Sequence, residues 1–270
     1  MKVLILAGGF GERLEKGLES YVGQYQSQLQ EWIQGKPKAL VPLKIGDEFK
    51  PLLAYQLDQF RYANIPFDDV YIQSNGKYFD QFQEFALKHG IPESNVMNNG
   101  VMKKEERLGP LGDLRLALET IAEEDLLVVA SDTLILTTSG QIDYHLIQRL
   151  IKNQKQSGGI RMVVYEGEPA RLRNHGLVVV NEKKVIGFQE KPQPPELPQS
   201  NLINASIHLY PYLLHHKIKE IHDKRGFDES VNLIGLVYQQ FLTTVEFVEK
   251  RLDLGRVEDL LRINTLEVKP

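Results

Sequence analysis

Short apolar runs alternate with segments of helical spacing along the first two thirds of the chain. The apolar runs predict buried β-strands at residues 3–6, 70–73, 126–130, 162–165 and 177–180. Apolar positions three and four apart predict helices at residues 52–62, 78–89 and 114–122. Because strands that alternate with helices form right-handed βαβ units, the pattern predicts an α/β fold with a doubly wound, mainly parallel sheet.

The pattern changes from about residue 176. Short strand-like segments and turns follow, with a proline-rich loop at residues 191–198 and a further predicted strand at residues 202–209. Apolar segments resume on both sides of the prolines, so we interpret this loop as a stiff surface connection rather than a domain linker. We expect a single domain over residues 1–270, with one half at about 1–135 and the other at about 136–270.

A glutamine-rich stretch interrupts the first half at residues 24–34. Tyr21, Tyr25, Leu29 and Trp32 stand at helical spacing there, which predicts an inserted amphipathic helix. Its aromatic residues suggest a lid over a site or a contact between subunits of a homo-oligomer.

Composition and charge narrow the class of protein. The 270 residues carry 32 Lys and Arg against 36 Asp and Glu, so the formal charge of -4 gives no reason to expect nucleic acid or an anionic membrane as partner. There is no cysteine, which excludes disulfides, thiolate metal sites and cysteine nucleophiles. The opening apolar run stops at Gly8, and no stretch reaches membrane-spanning length. We expect a cytoplasmic protein.

The strongest candidate for chemistry is the glycine-rich turn after the first predicted strand. Gly8, Gly9 and Gly11 allow backbone N–H groups to converge on phosphate oxygens, and Arg13 adds a cation at the far side of the turn. A Rossmann dinucleotide site is the obvious alternative. However, the spacing lacks Gly-x-Gly-x-x-Gly, and no acidic residue ends a second strand about 20 residues later.

Two further positions are candidates for a ligand site beside this turn. Lys38 lies between Pro37 and Pro42, which restrict the backbone and hence the reach of its ammonium group. Asp132 follows a buried predicted strand and should therefore lie at the carboxyl edge of the sheet, where open α/β sheets bind ligands. A solvated lysine and a helix-capping aspartate are the plain structural alternatives.

Seven segments, in order, resemble the signature of the sugar-phosphate nucleotidyltransferases, which include the glucose-1-phosphate thymidylyl- and uridylyltransferases and the mannose-1-phosphate guanylyltransferases. Several ordered matches are far more specific than any one. The segments are the glycine-rich turn, residues 36–43 around Lys38, residues 105–118, the strand that ends in Asp132, the pair of segments 188–192 and 201–205, and residues 252–260.

The resemblance implies a glycosyltransferase-A-like fold: a Rossmann-like mixed sheet with a smaller sugar-binding lobe. It also implies transfer of a nucleotidyl group from a nucleoside triphosphate (NTP) to a sugar 1-phosphate, with Mg²⁺ as cofactor. The implied roles are catalysis by Arg13, Lys38 and Lys191; nucleotide binding by Leu6, Ala7, Gly8, Gly9, Gly11, Glu106 and Gly109; sugar-phosphate binding by Gly176, Glu190, Lys191 and Asn204; and metal binding by Asp132 and Asp253.

The sequence departs from the family pattern at several points. Glu12 stands where relatives carry Thr or Ser, which is unfavourable beside a triphosphate unless Glu12 points away or lies near a cation. Arg256 and Val257 replace the usual Thr-Pro, and the connection from residue 15 to residue 36 is longer than in most relatives. An acceptor other than a sugar phosphate, such as phosphocholine or a cyclitol phosphate, and a non-catalytic regulatory relative both stay open.

Three smaller expectations complete the sequence-based account. Lys191 precedes Pro192, so its backbone is predicted to be extended. His208, like the histidines at 215, 216 and 222, is predicted to be a surface or helix residue without a functional role. The sequence ends soon after the last motif, so we expect no appended acyltransferase domain.

Overall fold

The computed structural model describes residues 1–225 and 232–264, apart from the side chains of Arg225 and Asp253. Within these ranges nine strands form one twisted mixed sheet. The strands are β1 (Lys2–Ala7), β4 (Val70–Ser74), β5 (Val96–Asn98), β6 (Leu126–Ala130), β8 (Ile160–Glu166), β9 (Gly176–Asn181), β10 (Lys184–Glu190), β11 (Leu202–Tyr210) and β12 (Thr243–Phe247). Across the sheet they follow the order β5-β4-β1-β6-β11-β8-β12-β10-β9.

Two short antiparallel ribbons stand beside the main sheet. The first pairs β2 (Pro42–Ile45) with β3 (Glu48–Pro51), and the second pairs β7 (Thr133–Leu136) with β13 (Lys250–Asp253). The helices are α1 (Glu12–Ser20), α2 (Gln26–Ile33), α3 (Leu52–Tyr62), α4 (Phe79–His89), α5 (Gly109–Ala117), α6 (Leu146–Ser157), α7 (Leu214–Arg225), α8 (Leu233–Val237) and α9 (Val257–Ile263).

The predicted α/β class is confirmed, and the two halves of the sheet differ in direction. β1 runs parallel to β4 and β6, and β4 runs parallel to β5, as the alternation of strands and helices predicted. β11 is antiparallel to both β6 and β8, while β9 and β10 form an antiparallel pair at the edge. The first half is therefore wholly parallel. The second half combines these antiparallel pairs with one parallel pair, β8 with β12, so the sheet as a whole is mixed.

Both faces of β1 are buried, which explains its continuous apolar sequence. Val3 and Ile5 face a core that includes side chains of α3, α4 and α6. Leu4 faces the opposite core, to which α5 and α7 contribute. The carboxyl end of β1 is consequently held rigidly between two helical layers, and the glycine-rich turn starts from it.

The segment predicted as an inserted helix is α2, and it is part of the protein's core. Leu29, Trp32 and Ile33 are buried in a third apolar cluster together with Leu252 and Val257. The suggested lid is therefore wrong for Trp32, because this residue is only 8% exposed and belongs to one apolar cluster with residues from the other end of the chain. Burial within the same chain stabilises this helix.

The helix predicted at residues 114–122 begins earlier and ends earlier, as α5. Pro110 lies in the first turn of α5, where its fixed φ and missing N–H are tolerated, so the helix starts there. Among the described residues, no helix combines the length and the apolar character that crossing a bilayer requires.

Candidate active site

The glycine-rich turn and Asp132 meet where β1 and β6 end side by side. Leu6 pairs with Ala130 across these parallel strands, and the backbone N–H of Ser131 donates to the carbonyl oxygen of Leu6 at 3.0 Å. Beside them lies an open cleft of about 400 Å³, called here the phosphate cleft. Its lining includes Ala7, Gly9, Gly11, Arg13, Lys38 and Asp132.

The geometry of the turn brings α1 to the phosphate cleft end-on. Gly11 adopts φ +69°, a left-handed conformation that favours glycine, and it precedes the first turn of α1. A β-carbon at Gly11 would lie 3.8 Å from Cβ of Lys38, so the turn packs closely on the lysine segment. Arg13 is exposed, and no described group pairs with its guanidinium. The first amides of α1 and this cation make the cleft favourable for an anion.

Asp132 is surrounded by positive charge. Its Oδ2 accepts a hydrogen bond from Lys38 Nζ at 2.7 Å, and Arg251 Nη2 lies 3.8 Å from its Oδ1. Burial alone would raise the pKa of Asp132, but Lys38 and Arg251 outweigh it and lower the pKa to about 2. The side chain is 32% exposed, so an ionised carboxylate stays accessible from the cleft.

The backbone of Asp253 lies beside Thr133, the residue that follows Asp132 in the chain. In the β7–β13 ribbon, Asp253 pairs with Thr133, the neighbour of Asp132, and opposed residues of antiparallel strands have Cα atoms about 5 Å apart. The side chain of Asp253 lies outside the described part of the structure. Among the described residues, no three His, Asp or Glu side chains cluster as a metal site.

Glu12, the departure from the family pattern, is paired with a cation. Lys104 Nζ forms a hydrogen bond and ion pair with Glu12 Oε2, and this bond lowers the pKa of Glu12. Lys104 also lines the phosphate cleft. The carboxylate that would repel a triphosphate is thus balanced by a lysine 92 residues further along the chain.

A second cavity, of about 450 Å³, opens from the phosphate cleft. The two share Gly9, Arg107, Ser131 and Asp132 in their linings, so Asp132 stands at their junction. The cavity has two ends. One end is lined by Leu6, Gly8, Asn99, Gly109 and Asp113, and we name it the nucleoside end after the nucleotide-binding role that the sequence predicts there. The other is lined by Gly176, Glu190, Lys191, Asn204 and His208, and we name it the acceptor end after the predicted sugar-phosphate-binding role.

At the acceptor end of the cavity, one carboxylate oxygen of Glu190 can accept a hydrogen bond from a ligand. Its Oε2 is buried and has no hydrogen-bond partner among the described residues, whereas Oε1 lies 3.4 Å from Lys191 Nζ. A β-carbon at Gly176 would stand 3.0 Å from Glu190 Oε2 and 2.7 Å from the ring of Phe188, so only glycine fits there. A buried carboxylate oxygen of this kind suits a ligand hydroxyl.

The backbone prediction for Lys191 is wrong. Its φ is +40° rather than extended, because its N–H donates to the carbonyl oxygen of His175 at 3.2 Å and turns the chain at the end of β10. The turn leaves the side chain 57% exposed at the rim of the cavity. The ammonium group therefore keeps access to a ligand phosphate.

Asn204 is held by a chain of buried polar groups. Its Oδ1 accepts from the backbone N–H of Ser206 and from His208 Nε2, each at 2.9 Å, and the hydroxyl of Tyr210 lies 3.1 Å from His208 Nδ1. Because Oδ1 only accepts, His208 Nε2 must carry the proton and Tyr210 must donate to Nδ1. Burial lowers the pKa of His208 to about 4, which keeps the ring neutral. The prediction that His208 is a surface or helix residue is therefore wrong.

Comparison with known proteins decides the family. The family model described as Nucleotidyl transferase matches residues 34–269, most of the chain. The chain belongs to the nucleotidyl transferase family. Together with the relatives described next, this match confirms the resemblance to sugar-phosphate nucleotidyltransferases, although the matched region starts after the glycine-rich turn.

Two relatives of this nucleotidyl transferase are longer than it is. A Sulfolobus acidocaldarius protein provisionally named mannose-1-phosphate guanyltransferase is 26% identical over 244 residues, which cover 90% of this chain and 60% of the relative. A Sulfurisphaera tokodaii protein named bifunctional sugar-1-phosphate nucleotidylyltransferase/acetyltransferase is 25% identical over 273 residues, covering 98% and 55%. The chain thus spans little more than half the length of these relatives.

A solved structure supports the fold of the nucleotidyl transferase. A Bacillus anthracis protein described as a glucose-1-phosphate thymidylyltransferase superimposes with a TM-score of 0.69 at 19% identity, covering 98% of this chain and 94% of that one. Together with the mixed sheet, this likeness establishes the predicted glycosyltransferase-A-like architecture.

The geometry of the nucleotidyl transferase differs from the sequence-based site at several residues. Glu106 is exposed and lines neither cavity, whereas its neighbour Arg107 lines both. Sequence reasoning missed Asp113 and His208, although each carried a signal. Asp113 interrupts the apolar face of α5, and His208 continues the polar positions 204 and 206 of a strand whose other face is apolar.

Proposed function

We propose that this nucleotidyl transferase moves a nucleotidyl group from an NTP to a sugar 1-phosphate, releasing pyrophosphate and forming a nucleotide sugar. The observation that carries the proposal is the position of Asp132. This carboxylate stands where a cleft lined by cations and by the start of α1 meets a cavity with a lysine at its rim and polar groups at its acceptor end. Two phosphorylated substrates would approach each other at this junction.

The reaction needs positioning more than acid–base catalysis. A phosphate oxygen of the sugar 1-phosphate is already anionic, so it attacks the α-phosphorus without a general base. The bond from the α-phosphorus to the bridging oxygen breaks, and its electrons leave with pyrophosphate. The protein must align the groups and offset the repulsion between two polyanions.

The residues divide these tasks by position. Arg13 and the amides of the glycine-rich turn hold the β- and γ-phosphates, and Lys38 steadies the α-phosphate region. At the other side of the junction, Lys191 holds the attacking phosphate. Glu190 and Asn204 bind hydroxyl groups of the acceptor.

Asp132 fits a Mg²⁺ ligand, and Asp253 is its proposed partner. Asp132 is ionised and partly exposed, and its Oδ1 has Arg251 no nearer than 3.8 Å. Sites for Mg²⁺ commonly use one or two carboxylates and complete the coordination with substrate phosphates and water. When bound, the ion would neutralise charge on the α- and β-phosphate oxygens.

The test is a matrix of NTPs against acceptor phosphates, scored by pyrophosphate release. The acceptors should include sugar 1-phosphates, phosphocholine and a cyclitol phosphate. We expect release with at least one sugar 1-phosphate, because the acceptor end offers hydrogen-bonding groups rather than an apolar cage for choline. Release with phosphocholine or a cyclitol phosphate alone would assign the other acceptor class.

A variant separates catalysis from binding. Asp132→Asn should lose turnover by about 100-fold or more while still binding nucleotide, since it keeps the shape of the side chain but loses the charge. Asp80→Asn is the matched control, because Asp80 is exposed and lines neither cavity. Normal turnover in Asp132→Asn, or no pyrophosphate from any pair, would refute the proposal.

A further inference from the structure

The nucleoside end of the cavity contains a carboxylate that the proposed reaction does not use. Asp113 lies on α5, and only 7% of it is exposed. Its helical neighbours Leu111 and Leu114 belong to the apolar core. A charged residue in such a position is costly to bury unless a partner compensates it. Asp113 therefore calls for a functional explanation.

The two carboxylate oxygens of Asp113 have different surroundings. Oδ1 accepts from Asn99 Nδ2 at 2.7 Å. Oδ2 lies against Gly8, where an added methyl group would overlap it. No described residue donates to Oδ2, and no described cation pairs with Asp113. Gly8 and Asp113 are thus fitted to each other, and the carboxylate is left without a balancing charge.

The surroundings hold Asp113 in place without neutralising it. Burial raises the pKa of Asp113 to about 6, and the hydrogen bond from Asn99 opposes that rise. At neutral pH the group is mainly ionised. Asn99 is itself fixed, since its Oδ1 accepts from the backbone N–H of Val101 at 2.9 Å. Asp113 is therefore preorganised to accept hydrogen bonds from a ligand that enters the cavity.

Position in the cavity indicates which part of a ligand would meet this pair. Gly9 joins the nucleoside end to the phosphate cleft, and the acceptor end lies beyond the shared residue Asp132. If the triphosphate occupies the phosphate cleft, as the proposed function requires, the base of the same nucleotide enters between Gly8 and Gly109. Asp113 then faces the base.

The hydrogen-bonding edges of the bases differ in how well they match a carboxylate. Guanine presents two adjacent donors, N1–H and the 2-amino group, and a carboxylate offers two acceptors side by side. Uracil and thymine present a single N–H between two carbonyl oxygens, which a carboxylate would repel. Adenine and cytosine place a ring-nitrogen lone pair beside their amino group. Asn99 Nδ2 keeps a second N–H for the guanine carbonyl oxygen.

We infer that Asp113, supported by Asn99, makes this site select guanine nucleotides. This inference rests on the proposed function for the placement of the triphosphate. It goes beyond the proposed function because it names the base and the residue that binds the base. Loss of one such hydrogen bond to a charged group changes affinity by about 10- to 100-fold.

Binding measured without any acceptor phosphate tests the inference directly. Isothermal titration calorimetry should compare GTP, ITP, UTP, dTTP, CTP and ATP on the full chain. We expect GTP to bind at least about tenfold more tightly than ITP, which lacks only the 2-amino group, and more tightly than both uracil and thymine nucleotides. Equal affinity for GTP and ITP, or a preference for UTP or dTTP, would overturn the inference.

A variant assigns the preference to Asp113. Asp113→Asn, which keeps the shape, should weaken GTP binding by about 10- to 100-fold and remove the difference between GTP and ITP. Glu119→Gln is the matched control, because Glu119 is 56% exposed and pairs with Arg115 on the surface. A folded Asp113→Asn protein that keeps the GTP preference would contradict the assignment. The unfolding midpoint of each variant establishes that it is folded, and the wild-type comparison of GTP with ITP needs no variant.

The two proposals fail in different ways. If the protein prefers GTP but releases no pyrophosphate with any acceptor, the proposed reaction is refuted and the base selectivity is supported. If pyrophosphate release is fastest with UTP or dTTP, the proposed reaction is supported and the selectivity for guanine is refuted.

Discussion

Replacing Lys38 by methionine removes the ammonium group that stands 2.7 Å from Asp132 Oδ2. In the folded protein the pKa of Asp132 is about 2, against an ordinary value of 3.8, because Lys38 and Arg251 outweigh the effect of burial. A depression of that size corresponds to about 2 kcal/mol of stability. Since the carboxylate is 32% exposed, solvent screening reduces the expected loss in Lys38→Met to about 1 kcal/mol.

The sign of the pH dependence follows from the direction of the pKa change. A carboxyl group whose folded pKa lies below its unfolded value stabilises the protein above the unfolded pKa, and this contribution disappears as the pH falls through the folded pKa. The difference in unfolding free energy between wild type and Lys38→Met should therefore be complete at neutral pH. It should shrink below the ordinary pKa of 3.8.

Urea unfolding, followed by tryptophan fluorescence over a series of pH values, measures this difference. Lys36→Met is the control, because the ammonium of Lys36 donates to a backbone carbonyl oxygen, that of Glu31, at 2.8 Å. A loss at neutral pH no larger than that of Lys36→Met, or one that stays constant in acid, would refute the electrostatic account of Asp132.

Three further predictions concern the two cavities. Lys104→Ala leaves the charge of Glu12 unbalanced in the phosphate cleft, so calorimetry should show several-fold weaker NTP binding. Adding Glu12→Gln to this variant should restore NTP binding, and a double variant that binds as weakly as Lys104→Ala would contradict the charge balance. His208→Phe removes the hydrogen bond that holds the side-chain amide of Asn204, so KM for the acceptor phosphate should rise about tenfold while Kd for the nucleotide stays unchanged. An equal rise in KM and Kd would indicate a merely structural role. Gly176→Ala forces a methyl group to 2.7 Å from the ring of Phe188, so thermal unfolding should show that the free energy of unfolding falls by about 1–3 kcal/mol. A variant as stable as the wild type would refute this close packing.

The central strands of the fold were predictable because burial on both faces requires continuous apolar runs. β1, β4 and β6 appear where such runs occur, and their parallel pairing follows from the helices between them. The two ribbons were not predictable from this pattern. Their strands are only four residues long, and charged residues such as Lys44 and Arg251 interrupt them. Pairing between β7 and β13 also joins segments more than 100 residues apart.

For the site, the motif segments contribute most of the residues that line the two cavities, but the motifs do not show how those residues interact. Lys38 and Asp132 were assigned to separate ligands, and their direct contact follows from tertiary packing that spans 94 residues. Glu12 was recognised as unfavourable without a cation, and only the structure shows that Lys104 supplies one. Asp113 and His208 were overlooked because their roles depend on burial, and one polar residue in the sequence of a helix or strand does not show whether its side chain is buried.

The central claim is that one junction, at Asp132, brings the α-phosphorus of an NTP to the phosphate of a sugar. Following two labels in one reaction tests it most directly: NTP labelled at the α-phosphate and, separately, at the γ-phosphate, each incubated with a sugar 1-phosphate and Mg²⁺. The account predicts that the α-label appears in the nucleotide sugar and the γ-label in pyrophosphate, and that Arg13→Ala slows both by about 100-fold or more. Release of the γ-label as inorganic phosphate, or an α-label that never joins the sugar, would contradict it.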